Sequence, residues 1–318
     1  MWCCAIVIYE PLGVEWLLAS LGVSVKRLRI LQAPYGCMAV RARSIRILAM
    51  RVAVRLADVR PVIVWSGVVA GKIVYDILGS CGVNVPKGGF FRVSPLYHGE
   101  EPVRRGSILN PGEVVWFNVA FWGREGEEAA RTFVACTPKA PEGFTVESVE
   151  ARMVELKLPE PGEAVKQGEP VAFYYRVVHQ PTFYRFHGAV VAYPSPRRMI
   201  AYLARLASQL TGLDYRGAAA RLAESIELVY WRGRTSIYDI GCGRRQAAFN
   251  GEARYYGVAE EPLYRLLDAL MSLASVAGLG GSPGIGFGWV EKVEPGEPPF
   301  EPPVPIVATR APTRPPAS

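Results

Sequence analysis

The sequence predicts two tandem ferredoxin-like domains followed by a proline-rich tail. Three observations carry this: the element order βαββαβ can be read twice, a polar turn-rich linker separates the two series, and 318 residues suit two domains of ordinary size. Half of the residues are apolar, enough for two cores that fold without staples.

The first series opens at Met50. In MRVAVRL, Val52, Val54 and Leu56 alternate with Arg51 and Arg55, as a half-buried strand requires. Ser66 to Leu78 reads as a helix with Val69, Ile73, Ile77 and Leu78 on one side, ended by Gly79 and Gly82. Phe90 to Val93 is a short strand, and Glu113 to Trp122 is a β-branched and aromatic one. A helix over 124–135 and a strand over 144–158 complete the first domain, residues 50–158. Residues 1–49 lack a clear fold unit and read as an N-terminal extension ahead of the true start at Met50, and therefore as dispensable.

PEPGEAVKQG is the linker. The second domain, residues 169–293, begins with a strand over 171–178. A helix follows over 195–210, with Ser195 as N-cap and Pro196 in its first turn. Strands over 226–231 and 253–258 flank a glycine- and arginine-bearing stretch that reads as irregular. A helix over 260–277 carries Leu263, Leu266, Leu267, Leu270 and Leu273 on its apolar face, and a strand over 285–293 closes the unit. The tail, residues 294–318, is too proline-rich to form a core and reads as disordered.

The formal net charge is +7 and the pI about 9.1, a modest tilt toward an acidic partner. The basic residues are mostly arginine, which forks onto phosphate and stacks on bases; a compositional bias of the genome would look the same. The six cysteines contain no C-x-x-C pair and the three histidines do not cluster with them, so no metal site and no cofactor is expected. The cysteines read as small buried residues of a reducing compartment, with intracellular disulfides as the alternative for a hyperthermophile, and without a signal peptide or membrane span a cytoplasmic location is expected.

The sharpest motif is GLGGSPGIGFG, residues 278–288, with six glycines between a helix and a strand. The order is the reverse of a dinucleotide fingerprint, and no Gly-Lys-Ser/Thr follows. A backbone free of Cβ atoms can bring N–H groups to a sugar-phosphate chain, which points to Gly280, Gly281, Gly284, Gly286 and Gly288 as RNA contacts. The competing reading, a helix cap and turn, explains Gly278 and Gly280 but not all six glycines. A valine at Gly284 or Gly286 is accordingly expected to weaken RNA binding and leave stability intact.

This loop, ending in GIGFGWVE after a leucine-rich helix, resembles the RAMP superfamily, and within it the CRISPR-associated endoribonucleases that process repeat RNA. FRVSPLY, residues 91–97, is similar to that family's F-x-x-SPL segment, and MRVAVRL with its helix is similar to the family's usual start. PTFYRFHGAVVAYPSPRR, residues 181–198, is similar to the second domain of archaeal members. The resemblance covers about Met50 to Val293. It implies metal-independent cutting of CRISPR precursor RNA within its repeats, by attack of the 2′-hydroxyl on the adjacent phosphate, to give guide RNAs. Other effector subunits and a second copy of the chain are compatible partners. The alternative within the superfamily is a non-catalytic subunit that holds guide RNA.

Many members carry a histidine between the first helix and the SPL segment. GSCGVNVPKGGFFRV, residues 79–93, has none. His98 is the nearest substitute in sequence. Lys72 and Tyr75, three apart on the first helix, are alternative chemical groups, although Lys72 also stands four residues before Asp76, where a helical ion pair would form. His187 beside Arg185, in what reads as an aromatic strand, Arg197 and Arg198 at a helix start, and Arg232, Arg234, Arg244 and Arg245 around the irregular stretch are candidate RNA contacts. Each could equally be a solvated cation. Tyr174, Tyr255 and Tyr256 could stack bases or fill core.

Overall fold

The computed structural model describes residues 41–86 and 89–296. The first unit comprises β1 (Ala42–Leu56), β2 (Arg60–Pro61), α1 (Ser66–Ser80), β3 (Phe91–Val93), β4 (Tyr97–His98), β5 (Glu101–Pro102), β6 (Ile108–Leu109), β7 (Val114–Trp122), α2 (Gly123–Ala135) and β8 (Phe144–Pro159). Its main sheet runs β5-β4-β7-β1-β8, with β3 also paired to β7, and all pairings are antiparallel. After α3 (Pro161–Ala164) come β9 (Pro170–Thr182), β10 (Tyr184–Phe186), β11 (Ala189–Val191), α4 (Pro196–Thr211), α5 (Arg216–Glu224), β12 (Ile226–Asp239), β13 (Arg245–Glu260), α6 (Glu261–Ala277) and β14 (Val290–Pro295). The second main sheet runs β12-β13-β9-β14. Counting only the βαββαβ strands, both sheets have the order in which the first strand lies between the third and fourth, the ferredoxin-like arrangement.

Strand β1 begins eight residues before Met50 and is central to its sheet, pairing with β7 and β8. Residues 42–49 therefore belong to the fold and not to an extension; residues 1–40 lie outside the described residues. The reason the sequence hides this is two-sided burial. Leu48, Met50, Val52 and Val54 face α1 and α2, while Ile45, Ile47 and Ala49 face the helices of the second unit. Where both faces are buried, the apolar–polar alternation that marks a strand disappears. Residues 47–50 are buried without a break, whereas exposed and buried side chains alternate before them, from Ser44 to Ile47, and after them, from Met50 to Val52.

Helices α4 and α6 share one core with both sheets, joining Leu203 and Leu270 to Ile47 and Leu156 on one side and Tyr175 and Tyr255 on the other. The five leucines read as the apolar face of α6 are all buried, each contributing about 1.5–3 kcal/mol by area.

Three further expectations change. The stretch between residues 231 and 253 is not irregular: β12 and β13 are the arms of one long hairpin, paired from Ile226–Gly257 to Asp239–Arg245. Gly233 and Gly251 lie opposite each other, so close that a Cβ on either would meet the other's backbone, which lets the arms cross there. The last strand starts at Val290, because Pro283–Ile285 forms a 3-10 turn. Cys81 and Cys136, expected as reduced thiols, form a disulfide between the C-terminal ends of α1 and α2, their Cα atoms 6.5 Å apart. Cys242 is free and exposed; Cys3, Cys4 and Cys37, and the tail beyond Gly296, lie outside the described residues. No helix among the described residues is long and apolar enough to cross a membrane.

Candidate RNA site

Helix α1 presents Gly67, Gly71 and Tyr75 at i, i+4 and i+8, a single stripe along its length. The glycine-rich segment lies on that stripe. A Cβ on Gly67 would fall 2.6 Å from the Cα of Gly286, one on Gly71 would collide with the Gly284 carbonyl, and one on Gly284 would collide with the Tyr75 hydroxyl. The small residues of α1 are what admit the segment so closely.

From below, the segment is held by Arg92 on β3, which is fully buried. Its guanidinium donates to the carbonyls of Leu279 at 2.9 Å, Gly280 at 3.0 Å and Phe287, and to the Tyr202 hydroxyl at 2.7 Å. A buried cation is costly unless its N–H groups are satisfied, and three backbone carbonyls of one loop satisfy most of them. From the side, the Gly281 N–H donates to the Phe183 carbonyl at 2.9 Å and the Gly288 N–H to Pro181 at 2.7 Å. Phe183 and Phe287 meet edge to face, and Trp65, at the start of α1, packs with Phe287 and Tyr238.

Packing alone accounts for the glycines. Gly280 and Gly288 have φ of 75° and 72° and abut the carbonyls of Phe183 and Leu279; Gly281 lies on the Phe183 ring; Gly286, with φ 78°, abuts Gly67. The expectation that a valine at Gly284 or Gly286 would spare stability is therefore corrected, most clearly at Gly286. There a branched side chain would need a left-handed backbone and the space of a neighbouring main chain.

Lys72 is exposed and pairs with Asp76 at 2.5 Å. The Tyr75 ring packs edge-on against Phe91, and burial pushes its hydroxyl pKa upward. Its hydroxyl is protonated at neutral pH, as tyrosine ordinarily is, and can donate a hydrogen bond. His98 is exposed on the β4–β5 hairpin, opposite Glu101. No hydrogen bond or ring contact among the described residues joins it to Lys72, Tyr75 or the glycine segment.

The end of the β12–β13 hairpin docks at the start of α1: the Trp65 N–H donates to the Asp239 carbonyl at 2.8 Å, and Arg105 pairs with Asp239 at 3.7 Å. This places the exposed Arg244 and Arg245 at the rim of the same region, with Arg232 and Arg234 exposed further along the arm. His187 is not in a strand but in the two-residue turn of the β10–β11 hairpin, with φ 47° followed by Gly188 at 85°. Arg198 lies over Phe186 at 3.7 Å, with its N–H capped by Ser195 at 3.3 Å, and Arg197 is exposed beside it.

Of the three tyrosines, Tyr255 falls into the core, whereas Tyr174 and Tyr256 are half-buried on the open face of the second sheet. Tyr255 is fully buried, its hydroxyl 3.3 Å from Nε2 of His179. Glu252 bridges Arg176 and Arg254 on the open face of the second sheet, near Tyr174 and Tyr256, and their hydrogen bonds hold its carboxyl down at about 2. Nothing local to Arg92 or Phe183 marks either as a site-building residue. Only the small-x-x-x-small spacing of Gly67 and Gly71 was a usable signal.

Residues 177–290, from β9 to the start of β14, match the family model described as CRISPR-associated endoribonuclease Cas6. The match covers the glycine segment and most of the second unit. Three solved structures share the fold. A Cas6 product complex is 20% identical with a TM-score of 0.57, over 78% of this chain and 99% of that one. A Cas6 substrate mimic complex is 18% identical with a TM-score of 0.55, over 78% and 99%. Thermus thermophilus Cas6 is 14% identical with a TM-score of 0.54, over 77% and 98%. No curated protein matches the chain.

Proposed function

We propose that this chain is an endoribonuclease that binds CRISPR precursor RNA and cuts within its repeats by metal-independent attack of a 2′-hydroxyl on the adjacent phosphate. The observation that supports the reading is the seating of the glycine segment, which lies within the Cas6 match, on the α1 stripe against Tyr75. The reaction needs a proton donor for the leaving oxygen, a proton acceptor for the 2′-hydroxyl and positive charge at the phosphate. Tyr75, protonated at neutral pH and able to donate a hydrogen bond, suits the first role. Lys72 suits the third once a phosphate oxygen replaces Asp76 at its ammonium. Arg244 and Arg245 at the hairpin end, and the half-exposed Ser282 to Gly284, would track the flanking backbone. His98 would take part only if the RNA also ran along the β4–β5 hairpin.

The test is incubation of the pure protein with repeat RNA in EDTA. A discrete product ending in a cyclic phosphate is expected, and a 2′-deoxy nucleotide at the cut should block it. Cleavage that stops in EDTA, or that survives the deoxy substitution, overturns the mechanism. The engagement of Lys72 by Asp76 and the absence of histidine from α1 favour a second reading, a non-catalytic RAMP subunit that holds guide RNA. Tight binding of repeat RNA without any cut would select it.

A further inference from the structure

From the β10–β11 hairpin we infer a stacking platform for one unpaired base of single-stranded RNA, formed by Phe186, His187 and Arg198. Residues 181–205 contain four arginines and a histidine and not one Asp or Glu. The local ligand preference is therefore anionic. Within this stretch large rings are exposed instead of buried: Phe186 is 43% and Tyr193 55% accessible.

The three side chains are pre-assembled. The Arg198 guanidinium lies 3.7 Å from the Phe186 ring centre, and the His187 ring meets Phe186 edge to face at 4.3 Å. Planar guanidinium, phenyl and imidazole groups are the surfaces on which unpaired bases stack. The hairpin turn holds His187 in place. Two successive residues with positive φ match the right-handed strand twist, and Gly188 takes the second position without strain. Arg198 is fixed by its place in the first turn of α4, where Ser195 caps its N–H.

The platform is tied to the glycine segment through Phe183, whose carbonyl accepts from Gly281. Phe186 lies three residue steps along the chain from Phe183, a span of roughly 10 Å. A base on the platform would thus lie one or two nucleotides from a phosphate at the glycine segment. The choice of ligand rests on the RNA reading above; the geometry of the platform does not.

The test uses the full chain and two fluorescein-labelled ten-mers, oligoadenylate and its abasic counterpart, in fluorescence anisotropy. The variants are Phe186→Ala, Phe186→Trp and His187→Asn, which keeps the turn preference but removes the ring. Phe186→Ala and His187→Asn should weaken oligoadenylate binding about 5- to 100-fold, the range for loss of one stacked base. Phe186→Trp should retain it, and affinity for the abasic strand should be the same in all four proteins. Unchanged oligoadenylate affinity, equal losses on both strands, or no oligoadenylate binding by the unaltered protein overturns the platform. Cleavage of repeat RNA by the unaltered protein is scored separately. A protein that cuts but ignores Phe186→Ala loses only the platform, and one that never cuts but loses base-dependent binding loses only the endonuclease reading.

Discussion

Arg92 donates to the carbonyl of Leu279 at 2.9 Å, joining β3 of the first unit to the glycine segment of the second across 187 residues of chain. Arg92→Met should leave the carbonyls of Leu279, Gly280 and Phe287 without a buried donor. At about 1–3 kcal/mol for each unsatisfied group, partly relieved by relaxation, a loss of about 3–5 kcal/mol is expected in urea unfolding. Arg92→Lys should recover part of it, since one ammonium cannot reach all three carbonyls. A Met variant as stable as the unaltered protein would show that the clamp contributes nothing.

The glycines of the segment should separate by mutation. Gly286→Ala requires a left-handed residue against the Gly67 backbone and should cost about 2–4 kcal/mol. Gly284→Ala meets only the end of the Tyr75 side chain, which can swing away, and should cost less. Thermal melting of the two variants decides it, and equal losses would mean that the Tyr75 ring cannot move.

A chain beginning at Met50 should not fold. It lacks Ile45, Ile47 and Leu48, each buried in β1, together worth about 5–9 kcal/mol by area against a total stability of about 5–15 kcal/mol. Circular dichroism with urea should show no cooperative transition, whereas a chain beginning at Arg41 should keep one. Cooperative unfolding of the Met50 chain would show that β1 is dispensable over its first half.

If cutting is confirmed, Tyr75→Phe keeps the ring on Phe91 and removes only the proton donor. Loss of a general acid typically slows single turnover about 10²–10⁴-fold. Lys72→Ala should slow the reaction without abolishing it, and His98→Ala should do so only if the RNA also runs along the β4–β5 hairpin. A rate unchanged in Tyr75→Phe would remove Tyr75 from the chemistry.

Stability should fall on the acid side because of His179. It is fully buried, and desolvation lowers its pKa to about 3. The folded protein therefore leaves it neutral where the unfolded chain, with a pKa near 6.5, takes up a proton. The contribution is complete above about pH 6.5 and is lost as pH falls toward 3, at up to about 1.4 kcal/mol per pH unit. Glu252 and Asp214, each held down at about 2, lose their contributions at lower pH, as pH falls below the ordinary carboxylate range. Urea unfolding between pH 6.5 and 5 isolates the histidine. His179→Leu should flatten that slope, and an unchanged slope would assign it elsewhere.

The sequence by itself determined the order of the elements, because strands and helices announce themselves through local periodicity. The leucine face of α6 and the alternation of MRVAVRL needed no partner to be recognised. The glycine segment, FRVSPLY and residues 181–198 also pointed to the superfamily. What the glycines do was decided only by the tertiary structure. Their close approach to Gly67 and Gly71, and the capture of their carbonyls by Arg92, join residues at opposite ends of the described chain, and such contacts leave no periodic trace. The early start of β1 was hidden by burial on both faces, and the continuity of β12 and β13 by a glycine crossing. The Cys81–Cys136 pairing depended on bringing two helix ends together. Each of these is a fact about distance in space, on which local sequence is silent.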